Sequence, residues 1–106
     1  MEPPIKNILQ ELREALEALY GPRLKRLLLY GSHARGDATD DSDIDVMVVL
    51  DGTVSAWEEV TRMNDVVTEL CLTHAALISL YPIAESDYLA KQSLVLRNVH
   101  REGVRL

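Results

Sequence analysis

The sequence predicts an α/β domain, α+β in its segregation, built on a small mixed sheet of three to four strands flanked by helices. Three observations lead there. Apolar residues recur at helical spacing near the start and again after the middle of the chain. Two short runs rich in Leu, Ile and Val flank a loop of Gly, Ser, Asp and Thr, and a third apolar run follows the second helical segment. With 106 residues, 47% of them apolar, the chain suits one domain (1–106) with a core that needs no cross-link.

The elements follow in order. Residues 4–20 carry Ile5, Ile8, Leu9, Leu12, Leu16 and Leu19 on one helical face, and Gly21-Pro22 stops the helix. Pro3 and Pro4 suit a first turn. Leu24–Tyr30 reads as a strand ended by Gly31. Residues 31–42 read as a loop with one helical turn, and 43–50 as a second strand rich in β-branched side chains. Asp51-Gly52 is a turn, and Ser55 with Glu58 has the spacing of a capping box. The helix it opens aligns Trp57, Val60, Met63, Val67 and Leu70, with Glu58, Glu59, Asp65 and Glu69 on the wet face. A third strand is expected over 75–83, ending near Pro82. Residues 86–102 read as helix broken near Ser93, with Gly103 as its C-terminal cap.

Composition excludes several function classes. The net charge of −6 argues against a nonspecific nucleic-acid coat, which draws on Lys and Arg in numbers. Arg23, Lys25 and Arg26, and separately Arg97, His100, Arg101 and Arg105, form local basic clusters best read as solvated surface. Cys71 stands alone, so neither an internal disulfide nor a cysteine-based zinc site is available. No apolar run is long enough to span a bilayer, and nothing after Met1 resembles a signal peptide; the expected compartment is the cytosol.

The chemistry concentrates in GSHARGDATDDSDIDVMVV, residues 31–49. Asp43 and Asp45 lie two apart in a strand, so both carboxylates emerge on one face while Ile44, Val46, Val48 and Leu50 face the core. Paired carboxylates repel, and a hard cation relieves that; Mg²⁺ takes one or two carboxylates and fills its octahedron with water and phosphate oxygens. A solvated sheet edge explains such a pair equally well when it stands alone. Gly31-Ser32, directly after the first strand, adds a place where the backbone can approach a ligand and where free N–H groups receive an anion. Arg35 adds a planar positive fork, and Gly36 lets the chain turn back. A phosphate cradle followed by a carboxylate pair is equipment for phosphoryl or nucleotidyl transfer.

Gly31-Ser32-x-Ala34-Arg35-Gly36 followed by Ser42-Asp43-x-Asp45 resembles the G-S-x-A-R-G…S-D-x-D signature of the minimal nucleotidyltransferases, within the polymerase-beta-like superfamily. The resemblance implies a palm-type fold. It implies that Gly31, Ser32, Arg35 and Gly36 hold a nucleotide, with ATP the expected substrate, and that Asp43 and Asp45 are catalytic and bind Mg²⁺, with room for two ions. It also implies a protein partner, since many members are antitoxins paired with a small helical toxin of the HEPN class, and some transfer AMP to a tyrosine of that partner.

One departure bears on activity. The pattern expects a third carboxylate on the strand after the second helix, and no Asp or Glu lies between Glu69 and Glu85. His74, Ser79 or Tyr81 stand nearest the site depending on register, and Glu69, Glu85 or Asp87 are possible substitutes, though each has an ordinary surface reading. Asp37, Asp40 and Asp41 read as solvated loop carboxylates. Two functions therefore stand side by side: an AMP-transferring enzyme, and an antitoxin-like module with a weak or inactive site. A stand-alone antibiotic nucleotidyltransferase is a third, weaker one. Tyr88, Val95, Leu96 and Val99 suit a homodimer contact or, more simply, packing on the sheet.

Overall fold

Strand β2 (Ile44–Leu50) is the centre of the structure, a computed structural model that describes residues 3–39 and 41–106. Its last five residues are all buried, because both faces of the sheet are covered at that end. On one side it pairs antiparallel with β1 (Leu24–Tyr30); on the other it pairs parallel with β3 (Ile78–Ala84). A two-residue strand, β4 (Val104–Arg105), pairs antiparallel with β1, giving the order β3-β2-β1-β4. The expected three to four strands are thus four, in a mixed sheet. The parallel pair needs a crossover, and α3 (Ala56–His74) provides it.

Alternation along β2 sends Ile44, Val46, Val48 and Leu50 to one face. There they meet Ile8, Leu9, Leu12 and Leu16 of α1 (Pro3–Tyr20) and Met63 of α3. Met47 and Val49 point the other way, into a smaller cluster with Leu28, Ile83, Tyr88, Leu96 and Val99. Tyr88 lies on α4 (Glu85–Ala90), and Leu96 and Val99 lie on α5 (Leu94–Glu102). Tyr88, Leu96 and Val99 therefore pack on the sheet, whereas Val95 is exposed. The second face is covered only at the C-terminal end of β2; its N-terminal end stays open.

Several boundaries differ from expectation for identifiable reasons. Gly21–Arg23 forms a 3-10 turn where the first helix stops. β2 begins at Ile44 rather than Asp43. Pro82 lies inside β3 and is buried. Because β3 is an edge strand, paired with β2 alone, a residue without an N–H is tolerated on its outer side. Residues 75–77 precede β3, since Ala75 takes a left-handed conformation (φ 50°) that closes α3. The expected capping box does not form: Ser55 is the N-cap by position, but its exposed hydroxyl accepts no cap hydrogen bond. The break near Ser93 is real, and there the Ser93 hydroxyl does cap, accepting from the Leu96 N–H at 3.1 Å.

The buried face of α3 is also rotated from the expected one. Trp57 is 80% exposed, while Glu59 is only 2% exposed. The Glu59 carboxylate accepts from the Tyr20 hydroxyl (2.9 Å) and pairs with Arg23 (3.1 Å) and Arg62 (2.5 Å). Arg23 also donates to the carbonyls of Asp51 (3.1 Å) and Thr53 (2.9 Å). A buried carboxylate is tolerated only with such partners, and they arrive from α1, from the 3-10 turn before β1 and from the next turn of α3. Arg23 is thus a structural clamp rather than part of a basic patch. Cys71 is half-buried and free. No helix among the described residues is long and apolar enough to cross a membrane.

Candidate active site

The open end of the sheet is where β1 runs into Gly31. Gly31 has φ 74° and ψ −155°, a backbone region that L side chains avoid. A Cβ there would lie 2.5 Å from Oδ2 of Asp45. Conformation and space both demand glycine, and the close approach brings the turn directly against the carboxylate. One helical turn, α2 (Ser32–Arg35), follows. The N–H groups of Ala34 and Arg35 both return to the Gly31 carbonyl at 3.1 Å, which closes the turn on itself. Gly36 closes the turn in the left-handed region (φ 83°), its N–H on the Ser32 carbonyl at 3.0 Å. No atom lies within 4 Å of where its Cβ would stand, so Gly36 serves conformation alone.

The loop returns to β2 through a local turn. Ser42 Oγ accepts from the Thr39 N–H at 2.9 Å, and the Ser42 N–H donates to the Thr39 carbonyl at 3.0 Å. His33 Nε2 lies 3.3 Å from the Ser42 carbonyl, tying α2 to the residue before Asp43. Asp43 is then the last loop residue, exposed, and Asp45 is half-buried on the strand. Asp45 is held above the ordinary carboxylate range, first by burial and next by the charge of Asp43; His33 and Arg35 oppose the shift. The two aspartates are therefore close enough to feel one another and to feel the motif's cations. Arg35 is exposed and donates in part to Asp37 at 3.3 Å.

Strand register completes the site. Tyr30 lies opposite Asp45 on β1, and Ser79 lies opposite it on β3, all on one face. One row further, Leu28, Met47 and Tyr81 share that face. Burial raises the Tyr30 phenol above its usual range, and the charges of Asp45 and Tyr81 add to it. Tyr30 was not anticipated as a site residue; the signal was its position as the last residue of β1, directly before Gly31.

The expected substitutes for a third carboxylate do not reach this face. Glu69 is exposed on α3, which covers the opposite face. Glu85 and Asp87 sit at the far end of β2 and β3, where with Asp51 they line a cavity of about 630 Å³. His74 ends α3 rather than standing on β3, and its ring pairs with Glu11. Of the three strand-three candidates, Ser79 and Tyr81 face the site and His74 does not. Asp41 is exposed, and Asp40 lies outside the described residues, as do Met1 and Glu2. A larger cavity, about 930 Å³, lies behind the loop and is lined by His33, Asp41, Ser42, Cys71 and His74, but by neither Asp43 nor Asp45.

Among the described residues no group of three or more His, Cys, Asp or Glu side chains converges to hold a metal. A pair of carboxylate oxygens, with water and phosphate oxygens in the other positions, is a donor set that fits Mg²⁺ and not a tetrahedral zinc cage.

The profile of the nucleotidyltransferase domain matches residues 9–100. A candidate protein adenylyltransferase of Methanocaldococcus jannaschii is 35% identical over 101 residues, which is 92% of this chain and 93% of that protein. Among solved structures, a toxin–antitoxin complex with AMP-PNP superposes with a TM-score of 0.65 at 22% identity, over 91% of this chain and 69% of the other. A complex of a tri-AMPylated HEPN toxin of Shewanella oneidensis with an MNT antitoxin gives 0.54 at 20% identity, over 96% of this chain and 67% of the other.

Proposed function

The chain belongs to the nucleotidyltransferase-domain family, and from that premise we propose that it binds ATP with Mg²⁺ and transfers AMP to a tyrosine hydroxyl of a small helical partner protein of the HEPN type. The observation that carries this reading is the close approach of the Gly31 turn to Asp45, whose Oδ2 lies 2.5 Å from where a Gly31 Cβ would stand.

Each residue has a role in that reading. The Gly31 backbone, the Ser32 hydroxyl and the amides of the short helical turn receive the β- and γ-phosphates. Arg35 exchanges its exposed partner Asp37 for phosphate oxygens. Gly36 lets the turn close. Asp43 and Asp45 hold one or two Mg²⁺ ions. Bound there, Mg²⁺ neutralises phosphate charge as the bond to pyrophosphate breaks. Desolvation and mutual repulsion keep Asp45 costly to ionise, which is the state a dication relieves. The protein partners of the two similar complexes, and the AMP-PNP and AMPylation in them, support the choice of nucleotide and partner.

A second reading has its own observation. The β3 residue opposite Asp45 is Ser79, so that position on the strand carries no carboxylate. An antitoxin-like module that neutralises its partner by contact alone fits that vacancy. Incubating the chain with labelled ATP, Mg²⁺ and the product of a neighbouring small helical gene separates the two. A covalent adduct that disappears in Asp43→Asn supports transfer. A tight complex that survives both Asp43→Asn and Asp45→Asn, with no adduct, supports the contact module and contradicts transfer.

A further inference from the structure

We propose that Tyr81 of this same chain is an acceptor for the adenylyl group, so that the protein modifies itself at its own open sheet face. The inference rests on the reading above, that ATP is held between the Gly31 turn and the two aspartates.

The strand order supplies the argument. Nucleotidyl transfer proceeds with the attacking and leaving oxygens roughly in line through phosphorus. In that reading the pyrophosphate end is gripped at the tip of β1, while Asp45 stands on β2, the next strand, and Asp43 directly precedes it. An in-line attack on the α-phosphorus therefore comes from the far side of β2, which is β3. On that strand only two side chains of the open face carry hydroxyls, Ser79 and Tyr81. The serine hydroxyl is one bond from Cβ and stays near the floor of the sheet. The tyrosine hydroxyl stands at the end of a ring, so it reaches further above the sheet than the serine hydroxyl does.

Exposure agrees with the geometry. Tyr81 is 43% exposed, although its neighbours Pro82 and Ile83 are buried. In the strand register Tyr81 lies opposite Met47, one row along the same face from the Ser79–Asp45 pair. Tyr30 itself is the poorer acceptor, being half-buried on the pyrophosphate side. In the step, a bond forms from Tyr81 Oη to the α-phosphorus as the bond from that phosphorus to the bridging oxygen of pyrophosphate breaks. The electron pair leaves on pyrophosphate, and the phenolic proton goes to water at the open end. The product is an adenylyl-tyrosine ester lying across the site, which blocks a second ATP and limits transfer to any other acceptor.

The test uses the whole chain alone with ATP and Mg²⁺. Intact-mass measurement is expected to show a gain of one adenylyl group, mapped by fragmentation to Tyr81. The gain disappears in Tyr81→Phe and Asp45→Asn and persists in Ser79→Ala. Without turnover, nitration of Tyr81 by tetranitromethane is expected to fall at least threefold when AMP-PNP and Mg²⁺ are added. An adduct at another residue, or one that survives Tyr81→Phe, overturns the inference. ATP binding measured by calorimetry with no self-adduct overturns the inference and leaves the nucleotide site standing; absence of ATP binding removes both.

Discussion

Two glycines and one aspartate show how different the demands on single residues are within this motif. Gly31 cannot carry a Cβ without striking Asp45, so Gly31→Ala must move the carboxylate or the turn. Gly36 needs only its left-handed backbone, and Gly36→Ala is expected to cost about 1 kcal/mol with nucleotide binding largely kept. Thermal melts together with ATP titration of both variants check the contrast. Asp45 carries a cost in the metal-free protein. Its folded pKa lies above the unfolded value, so the folded state holds the extra proton and stability falls as pH rises through and above the ordinary carboxylate range. Asp45→Asn is therefore expected to raise the melting temperature at pH 7 without metal, to flatten that descending slope, and to abolish transfer. A lower melting temperature for Asp45→Asn contradicts this account. Asp45 was legible in the sequence because alternation along a β-branched strand fixes its face. Its cost was not, because burial and the approach of Asp43 depend on the folded loop.

At the scale of elements, the clamp around Glu59 joins α1, the 3-10 turn before β1, the β2–α3 connection and α3. Removing the carboxylate leaves the Tyr20 hydroxyl and part of Arg23 without a partner. Glu59→Ala is expected to destabilise by about 3 kcal/mol, whereas Tyr20→Phe, which leaves both arginine pairs intact, is expected to cost about 1 kcal/mol. Urea unfolding measures both. Burial, the hydrogen bond to Glu59 and its negative charge push the Tyr20 phenol up to about 12. Its contribution is fully present below about pH 10 and is lost as pH rises toward 12. The sequence hid this cluster, because Glu59 shares a helical segment with Glu58 and Asp65 and reads as wet face. The partners that draw it inward come from Tyr20 and Arg23, far away in the chain. By contrast α1 and β1 were legible to within a residue, since contiguous apolar spacing and a Gly-Pro stop mark them without tertiary help. β3 was started three residues too early, because the left-handed Ala75 that closes α3 carries no mark in the sequence, and ended one residue short, because Pro82 reads as a terminator unless the strand is known to be an edge. β4 is two residues long, and no periodicity can announce a strand that short. Gly103 was rightly seen at the end of α5, but its backbone is extended (φ −64°); it is small because Val99 approaches it closely, not because it turns left-handed.

For the molecule as a whole, covering the second sheet face at one end only decides where chemistry is possible. Acidic residues at the covered end, Glu85 and Asp87 beside Asp51, lie the length of β2 away from Asp45. Glu85→Gln and Asp87→Asn are expected to leave adenylyl transfer within about twofold of the parent, a change worth well under 1 kcal/mol. A large loss in either assay places the reacting groups at the wrong end of the sheet. The central claim, that the Gly31 turn and the Asp43–Asp45 pair form one nucleotide site, is tested most directly by calorimetric titration of ATP with Mg²⁺ into the parent and into Gly31→Ala. The account predicts saturable, Mg²⁺-dependent binding in the parent, weakened at least tenfold in a folded Gly31→Ala protein. Equal affinity in the two contradicts it.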